Sequence, residues 1–288
     1  MGRFLSGWMA FAIVAGALAV IGAIGLHQHP KLTPRKASLP ASRIVGIGIN
    51  CHAEMLPVDD LKAIGISWVR LDEPGPDNTY DRIKPLVDHY REFGQLWCIP
   101  QTARDPAAVA RTMLAAGITE IEVFNEPDFG GIPAKDYVKA FQSVRKAVGN
   151  SARLYGPELC TWETYRYYLD DCARLGFQPD VLTFHGYHQG TAPHLAQWVN
   201  EAKSYGLPVV VSEVGFPNYL GPMAYRIKMT ESLGTLFVKT RDALKGTPWC
   251  WYDGPNPPGD YDCGLFDDGK PNRNYREVQA AIAKDAGP

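Results

Sequence analysis

"PVVVSE", residues 208–213, sets three valines in succession between a proline and a Ser-Glu pair. A half-exposed strand alternates apolar and polar residues, whereas an unbroken apolar run suits a strand covered on both faces, as in a parallel sheet flanked by helices. The theme recurs outward from this stretch. Runs rich in Val, Ile or aromatic residues lie at 44–49, 67–71, 95–100, 119–124, 153–157, 181–185, 208–212 and 248–252. Between them, amphipathic stretches predict helices near 58–64, 80–93, 106–116, 134–148, 164–175, 192–205 and 223–244, with a last one near 275–283.

Strands that alternate with helices imply parallel pairing, because each crossover takes about a dozen residues or more. Eight such units after Arg43 match the usual size of a (β/α)8 TIM barrel, about 250 residues. A doubly wound open sheet is the competitor, but "GIGIN" at 46–50 lacks the third glycine of a dinucleotide loop. The barrel is the expected fold, preceded by an N-terminal hydrophobic helix.

That helix is expected because no ionisable residue occurs from Phe4 to Leu26, and about 20 apolar residues suffice to cross a bilayer. The apolar region of a cleaved signal peptide is shorter, roughly 7 to 15 residues, so residues 1–26 read as a signal anchor, with a signal peptide as the alternative. Residues 27–42, with Pro30, Pro34 and Pro40, read as a stiff linker, and 43–288 as the catalytic domain. The expected location is outside the cytoplasm, anchored on the extracytoplasmic side or secreted. Lys31, Arg35, Lys36 and Arg43 pull the other way through the positive-inside tendency, which leaves topology open.

The chain is 45% hydrophobic and 21% charged, with a formal net charge of −2. It has the means for a large core and shows no basic stripe, so nucleic acid is not an expected partner. Six cysteines, Cys51, Cys98, Cys160, Cys172, Cys250 and Cys263, include no tight metal-ligand spacing. In an exported chain, Cys160 with Cys172 and Cys250 with Cys263 are the first disulfide pairings to expect, against buried free thiols.

Chemistry on such barrels gathers at the C-terminal strand ends. There the sequence places Asn50, Arg70, Gln101, Asn125 with Glu126, Glu158, His185 with Tyr187, Glu213, and Trp251 with Asp253. In "EVFNEPDFG", residues 122–130, the apolar run meets Pro127, so the strand must stop and Glu126 stands at the rim. Glu126 and Glu213 close the fourth and seventh strands. Two facing carboxyl groups are what acetal hydrolysis requires, one to protonate the leaving oxygen and one to attack or stabilise the anomeric carbon.

"EVFNEP" and "VVVSEVGFP" together resemble the strand-four and strand-seven signatures of clan A glycoside hydrolases, with no family within the clan singled out. The resemblance covers the chain from about Arg43 to Ile282. It implies a retaining O-glycosyl hydrolase that cleaves β-glycosidic bonds of an oligo- or polysaccharide by double displacement; no cofactor is expected, and the Cys and His spacings point to no metal. It implies Glu126 as acid/base, Glu213 as nucleophile, Asn125 as donor to the sugar 2-hydroxyl and Arg70 beside the nucleophile. His185 and Tyr187 would border the nucleophile and the sugar, and Trp251 would floor the subsite next to the scissile bond. No aromatic platform or His follows strand three, where "CIPQTARD" stands, which departs from the pattern. The short loops favour an open cleft and endo action. The alternatives are a catalytically silent carbohydrate-binding barrel and a purely structural one.

Two further expectations concern charge. The Glu213 anion should keep a proton on Glu126 near neutral pH until the nucleophile is esterified, giving a bell-shaped pH dependence. Glu122 reads as an interior structural acid in need of a partner, and Glu158 as a rim charge or a sugar contact. His185 with His188 lacks a third metal ligand. His52, beside Cys51, reads as a sugar contact or as packing. Trp249, Tyr252, Tyr261 and Phe266 either bind sugar or pack, and Asp128 and Asp253 read as plain rim residues.

Overall fold

Each apolar run contains a strand and each amphipathic stretch a helix in the computed structural model, which describes residues 31–32, 39–72, 79–160, 162–186, 192–215, 232–252 and 264–285, so that the first part of the stretch near 223–244 lies outside the described residues. The order is β1 (Ile47–Asn50), α1 (Val58–Ala63), β2 (Ile66–Asp72), α2 (Tyr80–His89), β3 (Gly94–Ile99), α3 (Pro106–Ala115), β4 (Glu120–Val123), α4 (Ala134–Val148), β5 (Arg153–Tyr155), α5 (Trp162–Arg174), β6 (Leu182–His185), α6 (Ala192–Lys203), β7 (Val209–Val214), α7 (Leu233–Ala243), β8 (Trp249–Trp251) and α8 (Arg273–Asp285). A short antiparallel hairpin, β9 (Phe266–Asp267) with β10 (Lys270–Pro271), precedes α8.

The first eight strands form one parallel sheet in the order β5-β4-β3-β2-β1-β8-β7-β6. Its two edges meet through the bridges Tyr155–Val181 and Leu159–Phe184. The Gly156 N–H donates to Val181 O at 3.2 Å and the His185 N–H to Leu159 O at 2.7 Å. The fold is a (β/α)8 barrel.

Two apolar clusters hold it together. Trp68, Leu96, Tyr155, Val181, Val210 and Cys250 pack with Ile44 inside the barrel, and a larger cluster fills the space between strands and helices. Trp68 is accommodated because residue 48 is glycine: a Cβ there would lie 2.3 Å from the indole ring. Helix starts follow ordinary capping chemistry. The Asp105 carboxylate accepts from the Ala108 N–H, with Pro106 opening α3, and the Ser232 hydroxyl accepts from the Thr235 N–H at the start of α7.

Cys160, Cys172 and Cys250 are free thiols, so neither the Cys160–Cys172 nor the Cys250–Cys263 pairing is formed. Cys172 is buried in the strand–helix core while Cys160 is only partly buried at the rim beside Glu126, so the two serve different surroundings. The hydrophobic N-terminal helix lies outside the described residues, among which no helix is long and apolar enough to cross a membrane.

Candidate active site

The period of two along β2 sends Trp68, Arg70 and Asp72 up the inside of the barrel toward its C-terminal mouth. Arg70 is fully buried and its guanidinium organises the site. Its Nε donates to Glu122 Oε2 at 2.8 Å and its Nη1 to Glu213 Oε1 at 2.5 Å. Its Nη2 donates to Asn125 Oδ1 at 2.8 Å and to Glu158 Oε2 at 2.9 Å. Strands β2, β4, β5 and β7 are thereby tied at one point.

Both candidate catalytic carboxylates reach the mouth through backbone irregularities. On β7, Val210 faces the barrel interior, so unbroken alternation would point Glu213 at the helices. Instead β7 carries an extra residue against both neighbours: Phe184 pairs with Val211 but His185 with Glu213, and Val211 and Val214 oppose Trp249 and Trp251. This bulge re-aims Glu213 inward, a use of bulges recurrent beside active sites. After β4, Phe124 has φ +66 and Glu126 φ +44, the left-handed region that non-glycine residues rarely occupy. Phe124 stays packed on Tyr137 of α4, and the chain then presents Asn125 to Arg70 and Glu126 to the mouth. Such conformations cost about 1–3 kcal/mol each and cluster where function requires them.

His185 joins the two carboxylates. Its Nδ1 lies 2.7 Å from Glu126 Oε1 and 3.4 Å from Glu213 Oε2, so those two oxygens are no more than about 6 Å apart. Its Nε2 lies 2.6 Å from Glu158 Oε1. Asn50, at the end of β1, donates through Nδ2 to Glu213 Oε1 at 3.4 Å.

Protons are placed differently from expectation. Burial pushes the Glu126 carboxyl up, but the hydrogen bond and charge of His185 outweigh it, and its pKa lies below the ordinary value. Burial opposes a charged His185, yet Glu213, Glu158 and Glu126 together raise its pKa well above 6.5. These directions favour the resting proton on His185, between three carboxylates, where the Glu213 anion alone would have kept it on Glu126. Glu122 is pushed up to about 8, by burial and then by Glu158, against the attraction of Arg70. Its Oε1 has no hydrogen-bond partner among the described residues.

The remaining site residues sort clearly. Asn125 and Arg70 stand at the mouth, and Tyr187 lies outside the described residues, as do His188, Asp253 and Tyr261. Trp251 is corrected. It is fully buried against Phe237 of α7, with ring centroids 5.2 Å apart, so it faces the helices instead of flooring a subsite. Strand parity is the reason: Cys250 points inward, so Trp249 and Trp251 point out, and Trp249 also packs on Phe237. Tyr252 lies edge-on to His52 at 5.8 Å, and Phe266 packs on Tyr275. Asp128 accepts from the Cys160 N–H at 3.1 Å, which pins the loop carrying Glu126 to the one after β5.

Two acids exceed the roles the sequence suggested. Asp72 sits two residues beyond Arg70 on the same strand face, a signal that period two provides, and pairs with His52 Nδ1 at 2.7 Å. Glu158 is a fully buried partner of Arg70, not a rim charge, and Glu122, expected as an interior acid in need of a partner, finds it in Arg70. Donor atoms of Glu158, His185 and Glu213 lie within 4.8 Å of one another, as do those of Cys98, Glu122 and Glu158, a spacing that suits a metal ion. Arg70 and the imidazolium already supply positive charge at those points.

A family model described as glycosyl hydrolase catalytic core matches residues 88–237, a span that includes Glu126, Glu158, His185 and Glu213. The chain belongs to this family. The glycosyl hydrolase core also resembles solved structures. An endo-β-1,3-glucanase of family GH128 (subgroup I) from Amycolatopsis mediterranei, in complex with laminaripentaose, superposes with TM-score 0.60 at 17% identity over 82% of this chain and 99% of that one. The GH53 catalytic domain of Ignisphaera aggregans gives TM-score 0.61 at 13% identity over 87% and 99% of the two chains. A monomeric β-xylosidase from Caulobacter crescentus gives 0.57 at 15% identity over 88% and 71%. No curated protein matches the chain. At these identities the likeness is one of fold, the (β/α)8 barrel.

Proposed function

We propose that the protein is a retaining β-glycosidase whose nucleophile is Glu213 and whose acid/base is Glu126. The observation that carries this reading is the convergence of both carboxylates on one nitrogen of His185, within reach of a single anomeric carbon. Arg70 fixes the Glu213 oxygen and, by holding Asn125 Oδ1, turns the Asn125 amide N–H groups toward a sugar hydroxyl. The exposed Phe129, on the turn that follows Glu126, offers an aromatic face on the leaving-group side. The short connections after β1, β2 and β3 support an open cleft and endo action. The laminaripentaose-bound endo-β-1,3-glucanase makes β-1,3-glucan the first polymer to try. The apolar stretch from Phe4 to Leu26 supports export and tethering to, or release from, a membrane, which the mass of the mature chain in membrane and soluble fractions tests.

The catalytic test is covalent trapping. Wild-type protein treated with a 2-deoxy-2-fluoro β-glycoside should gain one glycosyl unit on Glu213. Glu213→Ala should lose it, along with release of reducing ends from laminaripentaose, by at least about 10³-fold. Full turnover by Glu213→Ala would refute the assignment.

A further inference from the structure

Glu158 is a fully buried carboxylate in contact with neither of the proposed reacting groups, yet both of its oxygens are committed. Oε1 lies 2.6 Å from His185 Nε2, and Arg70 Nη2 lies 2.7 Å from that same oxygen and 2.9 Å from Oε2. An acceptor fixed at Nε2 requires that nitrogen to carry a proton and holds the ring plane. The opposite nitrogen, Nδ1, is thereby presented to Glu126 Oε1 at 2.7 Å and Glu213 Oε2 at 3.4 Å. Arg70 cannot substitute for Glu158 in this task, since a guanidinium offers no acceptor.

We infer that Glu158 is a positioning residue that makes His185 the proton store of the reaction, a relay running from Glu158 through His185 to Glu126. The inference rests on the glycosidase reading above and extends it. In the first step, the glycosidic C–O bond breaks while a Glu213 oxygen bonds to the anomeric carbon. The leaving oxygen takes the proton of Glu126, which Glu126 draws from His185 Nδ1. The same transfer leaves a neutral imidazole beside Glu213, so a competing positive charge is withdrawn from the nucleophile as it attacks. In the second step, a water oxygen bonds to the anomeric carbon and the ester bond to Glu213 breaks. The water proton returns through Glu126 to His185, and the protons balance over the cycle.

Every charged group facing His185 bears on its titration. Glu126 and Glu158 lie on the loops after β4 and β5 and Glu213 on β7, while Arg70 reaches the same carboxylates from β2. Glu122 and Asp128 act at longer range. Carboxylates outnumber the single guanidinium around the ring, and the charged form is favoured.

The test needs no substrate in its first arm. In full-length protein labelled with ¹⁵N-histidine, with His185 assigned by its loss in His185→Gln, both ring nitrogens should remain protonated well above the ordinary value near 6.5. In Glu158→Gln, which keeps the shape and removes the charge, the transition should fall by at least about one pH unit. A His185 that titrates near 6.5 in the wild type, or one unmoved by Glu158→Gln, overturns the inference. The second arm measures kcat/KM on laminaripentaose. Glu158→Gln should lose about tenfold on the alkaline side and little near pH 5, because the alkaline limb moves down, whereas a purely structural acid would lower the rate at every pH. A wild type that cleaves nothing refutes the glycosidase reading alone, since the first arm still judges the proton store.

Discussion

Arg70 exchanges one buried cation for four connections, to Glu122, Asn125, Glu158 and Glu213, each at a different nitrogen or shared at Nη2. Burial works against its charge, but Glu158, Glu122 and Glu213 outweigh that cost and raise its pKa well above the ordinary value. The planar fork matters as much as the charge, because a lysine ammonium presents a single point and cannot span three strand ends. Arg70→Lys should therefore lower kcat/KM by about 10²-fold or more even where the protein folds. Arg70→Ala should cost about 3–5 kcal/mol of stability, since it strands buried carboxylates without a partner. Urea unfolding alongside kinetics separates the two effects, and a Lys variant with native kinetics would refute the geometric claim.

At the scale of elements, β1 and β2 show how closely this barrel is packed. Gly48 lies flat against the Trp68 ring, so Gly48→Ala forces a displacement and should destabilise by about 1–3 kcal/mol in thermal or urea melts. The strands themselves were legible, because Val209, Val210 and Val211 or Trp249 through Tyr252 leave few other readings for a run of that length. Which way each side chain faces was less so. Trp249, Cys250, Trp251 and Tyr252 are apolar or aromatic at every position, so no polar residue marks the parity, and only the register against β1 shows Trp251 facing α7. Glu213 and Glu126 were found from their neighbours in sequence, yet the bulge in β7 and the left-handed Phe124 that aim them leave no local signature. Glu158 has its partners on β2 and β6, residues that come together only when the barrel closes.

Over the whole molecule, the interior of the barrel carries more acid than base, and this sets how stability follows pH. Glu122 has a folded pKa of about 8 against an ordinary 4.5, so the folded state retains a proton that the unfolded chain gives up. That contribution is complete below about 4.5 and is lost as pH rises toward 8. His185, raised well above 6.5, acts in the same sense: its contribution is present below its unfolded value and is lost as pH climbs through the folded one. Asp72 and Glu126 are lowered and act in the opposite sense, stabilising above their ordinary values and losing that as pH falls, which confines them to the acid side of about 4.5. The melting temperature should thus peak near pH 5 and decline toward pH 9. One extra retained proton is worth about 1.4 kcal/mol per pH unit, and about 2–4 °C accompanies each kcal/mol at this size, so the decline should reach roughly 3–5 °C per unit. Glu122→Gln keeps an acceptor for Arg70 and cannot ionise, so it should flatten the slope between about pH 5 and 6.5 and leave the His185 portion above it. Calorimetric scans of both proteins across that range decide the matter, and a melting temperature that rises from pH 5 to 9 in the wild type would show that these protons do not reside inside the barrel.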